Sequence, residues 1–198
     1  MNLPNQLTVA RFLLAVLFVV LMAVPHVGMY IAAYAVFVVG TVTDYYDGKI
    51  ARERNLVTNF GKLFDPLADK VFLTACFVVL MKRDELWIPA WTVVVVLARE
   101  FLITGARSLA ASEGVVIGAN VWGKTKAIVQ MVYIYTFLFF VILGKLLGVW
   151  SAHFVATLYR PVLWYASCWA MVFVALFTLY SGVQFARINW QALRLKEP

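Results

Sequence analysis

Histidine and cysteine are scarce, with two of each among 198 residues, and that scarcity narrows the chemistry before any motif is read. His26 follows Pro25 in a short turn and His153 falls in a connection. Neither has a second ligand at metal spacing, so no imidazole-based metal or proton chemistry is expected. Cys76 and Cys168 each sit inside an apolar run, which speaks against a disulfide and for core- or lipid-facing thiols. Charge is thin as well: 14% of residues are charged, 64% are hydrophobic and the mean hydropathy is +0.86. A soluble domain of this length rarely carries so apolar a composition, so an integral membrane protein is expected. The formal net charge of +7 does not come from a basic run with interleaved polar residues. The positive residues flank apolar stretches instead, which points to membrane topology and not to a nucleic-acid partner. No positive n-region or small-residue cleavage site surrounds the first apolar run, so that run is expected to be retained.

What is present is a series of apolar stretches, each near the 20 residues a membrane-spanning helix needs. Six spans are expected, at 7–24, 28–50, 62–81, 86–110, 120–144 and 162–186. Pro25 and Gly28 punctuate the first connection, Lys82-Arg83-Asp84-Glu85 the third, and Arg160-Pro161 precedes the sixth span. Nothing is left over for a soluble domain, so the expectation is one all-α domain over 1–198, a bundle of six transmembrane helices. The segment Asn2 to Thr8, with Pro4, Asn5 and Gln6, suits a short interfacial helix or an N-cap. The tryptophans and tyrosines read as interfacial anchors and packing groups.

With six spans, 13 of the 17 Lys and Arg fall on one side, and only Lys82, Arg83, Lys145 and Arg160 fall on the other. The positive-inside rule makes the richer side cytoplasmic. Four aspartates, Asp44, Asp47, Asp65 and Asp69, lie on that half, so the chemistry is expected to face the cytosol of a cell membrane.

Those aspartates dominate the reading. Each ionised carboxylate at membrane depth costs roughly 2.5–3.5 kcal/mol, so four require compensation. Spacings of three and four place each pair on one helix face, and a short connection makes the two helices neighbours, which allows a four-carboxylate cage. Hard oxygen ligands favour Mg²⁺, Mn²⁺ or Ca²⁺, and two divalent ions would balance four negative charges. Gly48, Ala51, Gly61 and Ala68 keep the backbone approachable, and Arg52 supplies a planar fork for phosphate oxygens. The alternative is that the aspartates line an ion pathway, as in an ion-coupled transporter.

The residues spell D-x2-D-G-x2-A-R-x8-G-x3-D-x3-D over 44–69, and this pattern resembles the CDP-alcohol phosphotransferase family. The resemblance implies a six-helix membrane enzyme, usually a homodimer, that displaces CMP from a CDP-linked substrate by attack of an alcohol. It implies that Asp44, Asp47, Asp65 and Asp69 bind two cations, Mg²⁺ or Mn²⁺, and that Asp69 is also the base that takes the alcohol proton. Gly48, Arg52 and Thr58 match positions that contact the nucleotide diphosphate, Gly61 gives room for the cytidine, and Asn5 and Thr8 help there.

The resemblance extends, through 2–11, 64–70, 98–101 and 123–126, to the bacterial subfamily that makes phosphatidylglycerophosphate from CDP-diacylglycerol and glycerol 3-phosphate. Lys126 is followed by Ala127 where that subfamily commonly has threonine. Arg107, Lys124 and Lys126 form a basic group suited to the acceptor's phosphate, although each could instead be a topology anchor. Lys124 and Lys126 diverge by about 200 degrees on a regular helix, so one of them serves the site edge or the lipid headgroups. Other acceptors, as in cardiolipin, phosphatidylinositol phosphate or phosphatidylserine synthases, remain open. Arg99 and Glu100 are left as a pair within the bundle.

Overall fold

Prolines and a few capping side chains, more than hydropathy, set the helix boundaries in this protein. The computed structural model describes the backbone of residues 3–53, 59–115, 117–118 and 120–190, and the side chains of 9–43 and of those from 70 onward within these ranges. The described residues form α1 (Leu3–Ala23), α2 (Val27–Glu53), α3 (Asn59–Met81), α4 (Ala90–Ser112), α5 (Val121–Trp150) and α6 (Ala152–Ile188), with no strand among them. The architecture is all-α.

The N-terminal segment expected as a separate interfacial element is continuous with α1 from Leu3. Helix α4 starts later than expected because Pro89 holds an extended conformation at the N-cap, and Thr92 Oγ1 donates back to its carbonyl at 2.6 Å. It ends at Gly114, whose φ of +79° lets the Val115 N–H reach the Ala110 carbonyl at 2.8 Å. That left-handed cap suits glycine. Asn120 opens α5, its Oδ1 accepting the Gly123 N–H at 2.8 Å.

The sixth helix begins ten residues before the expected 162, and the reason is a π-helical turn at Val155–Tyr159. Pro161 has no N–H to give the preceding turn, and read from sequence it marks a break. The widened turn absorbs the missing bond: the Arg160 N–H reaches back to the Val155 carbonyl, and the helix continues through the proline. Gly144 of α5 makes room for the turn, since a β-carbon there would lie 2.7 Å from the Tyr159 ring. Tyr159 in turn donates its hydroxyl to the Phe140 carbonyl at 2.6 Å.

Helix α1 packs on α2 and α3, α6 packs on α4 and α5, and α5 joins the two groups by touching α2 and α3. Phe18, Phe37 and Phe72 meet at that junction, with Phe37 and Phe72 stacked at 5.7 Å and Tyr135 of α5 edge-on to Phe37 at 4.6 Å. Cys76 and Cys168 are both buried free thiols. The outer faces are apolar too: Leu13, Leu102, Val132 and Trp169 are exposed. Helices apolar on every side belong in a membrane, and Val121–Trp150 and Ala152–Ile188 are long and apolar enough to cross one. The molecule is a membrane helical bundle.

Candidate active site

Of the motif, positions 44, 47, 48, 51 and 52 lie on the backbone of α2, and 61, 65 and 69 on that of α3. The side chains of Asp44, Asp47, Gly48, Arg52, Gly61, Asp65 and Asp69 lie outside the described residues, as do those of Asn5 and Thr8 in α1, and Thr58 lies there entirely. Among the described residues no group of three or more His, Cys, Asp or Glu stands together. The four aspartates expected from sequence carry carboxylates of the kind that suits hard divalent cations.

The described part of α2 and α3 fixes where these positions fall along the bundle. Gly40 and Phe72 are in contact, the ring standing 2.9 Å from where a Gly40 β-carbon would be. Position 44 is one helical turn beyond Gly40, and position 69 is about one turn before Phe72. Both pairs of motif positions therefore follow from one close contact, on the same end of two successive helices.

A cavity of about 50 Å³ adjoins that contact, bounded by Gly40, Thr41 and Phe72 and by Arg11, Lys70, Glu100, Lys126 and Gln130. Five helices thus bring polar groups to one place inside an apolar bundle. Lys70, the residue after Asp69, is buried, as are Arg11, Lys126 and Gln130. Buried ionic groups must be matched, and Glu100 does much of this. It forms an ion pair with Lys126 and accepts from Arg99 Nη1 at 3.4 Å. The side chains of Lys126 and Glu100 are only 7% and 12% exposed. Arg99 also donates Nη2 to Ser181 Oγ at 2.9 Å, and Gly182 allows α6 close to it, a β-carbon there lying 3.3 Å from Arg99 Cγ. Gln130 donates Nε2 to Thr178 Oγ1 at 3.3 Å.

The three residues expected at an acceptor phosphate separate. Lys126 points into the bundle beside the cavity, whereas Lys124 is exposed, in keeping with their angular divergence. Arg107 is half-buried on α4, its guanidinium 5.2 Å from the centre of the Phe185 ring and Nη2 reaching the Gly118 carbonyl at 3.4 Å. Residues 99 and 100, unassigned from sequence, turn out to organise this region. Gln130 and Thr178 were also missed there. Their one sequence signal is a polar group within an apolar run, which hydropathy alone does not separate from a surface position.

The opposite end of the bundle holds a separate charged group. Glu85 pairs with Lys145, Arg160 Nη2 donates to the Asp84 carbonyl at 3.2 Å, and Arg83 Nη1 donates to the Tyr30 hydroxyl at 3.0 Å. Trp87 stacks on Trp164 at 4.4 Å beside it.

A family model described as CDP-alcohol phosphatidyltransferase matches residues 1–159. A Bacillus subtilis protein named CDP-diacylglycerol–glycerol-3-phosphate 3-phosphatidyltransferase is 35% identical over 205 residues, covering 98% of this chain and 97% of its own. An Escherichia coli K12 protein of the same name is 31% identical, covering 93% and 92%. A Rickettsia typhi protein of that name is 38% identical over 131 residues, covering 66% and 72%.

Proposed function

Because the chain belongs to the CDP-alcohol phosphatidyltransferase family, we propose that it transfers a phosphatidyl group from CDP-diacylglycerol to sn-glycerol 3-phosphate. The products are phosphatidylglycerophosphate and CMP. The observation that carries this reading is similarity along 98% of the chain to a relative whose name states that reaction. The motif over 44–69 and the buried polar cluster beside Lys70 support it.

In this reading the acceptor's terminal hydroxyl attacks the phosphorus that carries the diacylglycerol. A new P–O bond forms, the bond to CMP breaks, and CMP leaves with the bonding electrons. Asp69 takes the hydroxyl proton, a task within reach of a suitably placed carboxylate. Asp44, Asp47, Asp65 and Asp69 would hold two divalent cations, Mg²⁺ or Mn²⁺. Such ions supply neutralisation of the diphosphate and of the charge on the leaving CMP. Gly48 lets the diphosphate approach the backbone, Arg52 and Thr58 donate to it, and Gly61, Asn5 and Thr8 shape the cytidine end. Lys126, held by Glu100, and Arg107 orient the acceptor phosphate, with the exposed Lys124 at the entrance.

The same reading puts six spans and both termini together, with the site toward the cytosol. The single domain over 1–198 forms a homodimer in the bilayer. An acceptor panel tests the chemistry: purified protein, CDP-diacylglycerol and Mg²⁺ or Mn²⁺ with glycerol 3-phosphate, phosphatidylglycerol, inositol phosphate or serine, followed by CMP release. Release with glycerol 3-phosphate is expected. Release with serine alone would overturn the choice of acceptor.

A further inference from the structure

We infer that Gln130 selects the acceptor by its second hydroxyl, an inference that rests on the glycerol 3-phosphate reading above. Gln130 is 1% exposed and lies on α5 one helical turn beyond Lys126. Its Nε2 is committed to Thr178 of α6, which does not border the cavity, while Gln130 itself does. The other end of the carboxamide, Oε1, is buried and has no hydrogen-bond partner among the described residues. A buried acceptor left without a donor costs free energy, and deeply buried polar groups in a membrane bundle are retained for a purpose.

The surrounding wall says what kind of donor belongs there. Lys70, Lys126 and Arg11 bring only N–H donors, and they suit a phosphate oxygen or any lone pair. Glu100 is engaged by Lys126 and Arg99. The Thr41 hydroxyl is engaged by the Phe37 and Val38 carbonyls and by Tyr135. Gln130 Oε1 is thus a neutral acceptor set among cations. Glycerol 3-phosphate with its phosphate ionised has two donors, its hydroxyls, and a hydroxyl can donate to the amide oxygen. The cavity of about 50 Å³ beside Gln130 has room for a hydroxyl-bearing carbon. With the phosphate at the Lys126 level and the terminal hydroxyl at Asp69, the middle hydroxyl is the part of the acceptor left to fill it. That hydroxyl keeps its proton throughout the transfer.

The test compares kcat/KM for glycerol 3-phosphate with that for 3-hydroxypropyl phosphate, which lacks the second hydroxyl, in the full-length enzyme and in Gln130→Met. The wild type is expected to favour glycerol 3-phosphate by about tenfold or more, the scale of one hydrogen bond and its unmet partner. In Gln130→Met the value for glycerol 3-phosphate falls by about that factor while the deoxy acceptor holds within about twofold, so the preference disappears. A wild type without the preference overturns the inference with no variant needed. Equal losses on both acceptors in Gln130→Met, or a preference that survives the substitution, overturn it as well. A wild type that uses neither phosphate ester but turns over another alcohol removes the glycerol 3-phosphate reading itself.

Discussion

The ring of Phe72 occupies the space that a side chain at Gly40 would need, with Cζ 2.9 Å from the β-carbon position. Glycine is thus required by the approach of α3 to α2, one helical turn from the aspartate positions. Phe72 cannot swing aside easily, being stacked on Phe37 and edge-on to Phe18. Gly40→Leu is expected to lower stability by about 1–3 kcal/mol, the scale of overpacking, and to reduce turnover more than stability alone explains. Adding Phe72→Ala should restore part of both. Thermal unfolding in detergent and CMP release measure the two effects, and a Gly40→Leu enzyme with normal turnover would detach this contact from the site.

Glu100 is the acid that faces two buried cations, Lys126 and Arg99. Glu100→Gln leaves both charges buried beside a neutral group, so a destabilisation of about 3–5 kcal/mol is expected. Glu100→Gln with Lys126→Met should recover part of it, because the second change removes one stranded charge. Unfolding midpoints of Glu100→Gln, Lys126→Met and the double variant decide the matter, and additive losses would show that the two residues are not coupled.

Arg107 rests on the face of Phe185 and reaches the Gly118 carbonyl. Arg107→Ala is expected to raise the KM for glycerol 3-phosphate with little change for CDP-diacylglycerol. Arg107→Lys should not rescue it, since an ammonium lacks the planar fork that stacks on the ring while donating sideways. Steady-state kinetics with each substrate varied in turn tests this, and equal effects on both would remove the acceptor-specific role.

Glu85 lies in the connection before α4, at the end of the bundle away from the motif. Burial pushes its carboxyl upward, but the hydrogen bond from Lys145 and the charges of Lys145 and Arg83 outweigh that and hold it below the ordinary value of 4.5. A carboxylate depressed in the folded state stabilises above its unfolded pKa and loses that stabilisation as pH falls through the folded one. The Lys145 side chain is 42% exposed, so the contribution is under about 1 kcal/mol. The Tm of the wild type should therefore fall slightly below pH 4.5, and Lys145→Met should flatten that fall. Superimposable pH profiles would contradict the pairing.

The helical order of the chain was legible because hydropathy and connection residues report it directly. Five of the expected spans lie within a few residues of α1 to α5 at their starts. The sixth failed at its beginning because a proline was read as a break, whereas the π-helical turn at Val155–Tyr159 carries the helix past it. The motif was legible because eight residues at fixed spacing carry chemistry that an apolar bundle does not otherwise need. The network of Glu100, Lys126 and Gln130 was not, because it joins α4, α5 and α6 across 26 and 48 residues of sequence. Only packing brings those helices together.

The most direct measurement follows labelled glycerol 3-phosphate into lipid alongside CMP release, for the wild type and for Asp69→Asn, with Mg²⁺ or Mn²⁺ present. The wild type is expected to yield lipid label and CMP in equal amounts. Asp69→Asn, folded by its unfolding midpoint, should lose turnover by about 10²–10⁴-fold, the scale of a general base. Ion flux in liposomes without CMP, or full turnover by Asp69→Asn, would contradict the account.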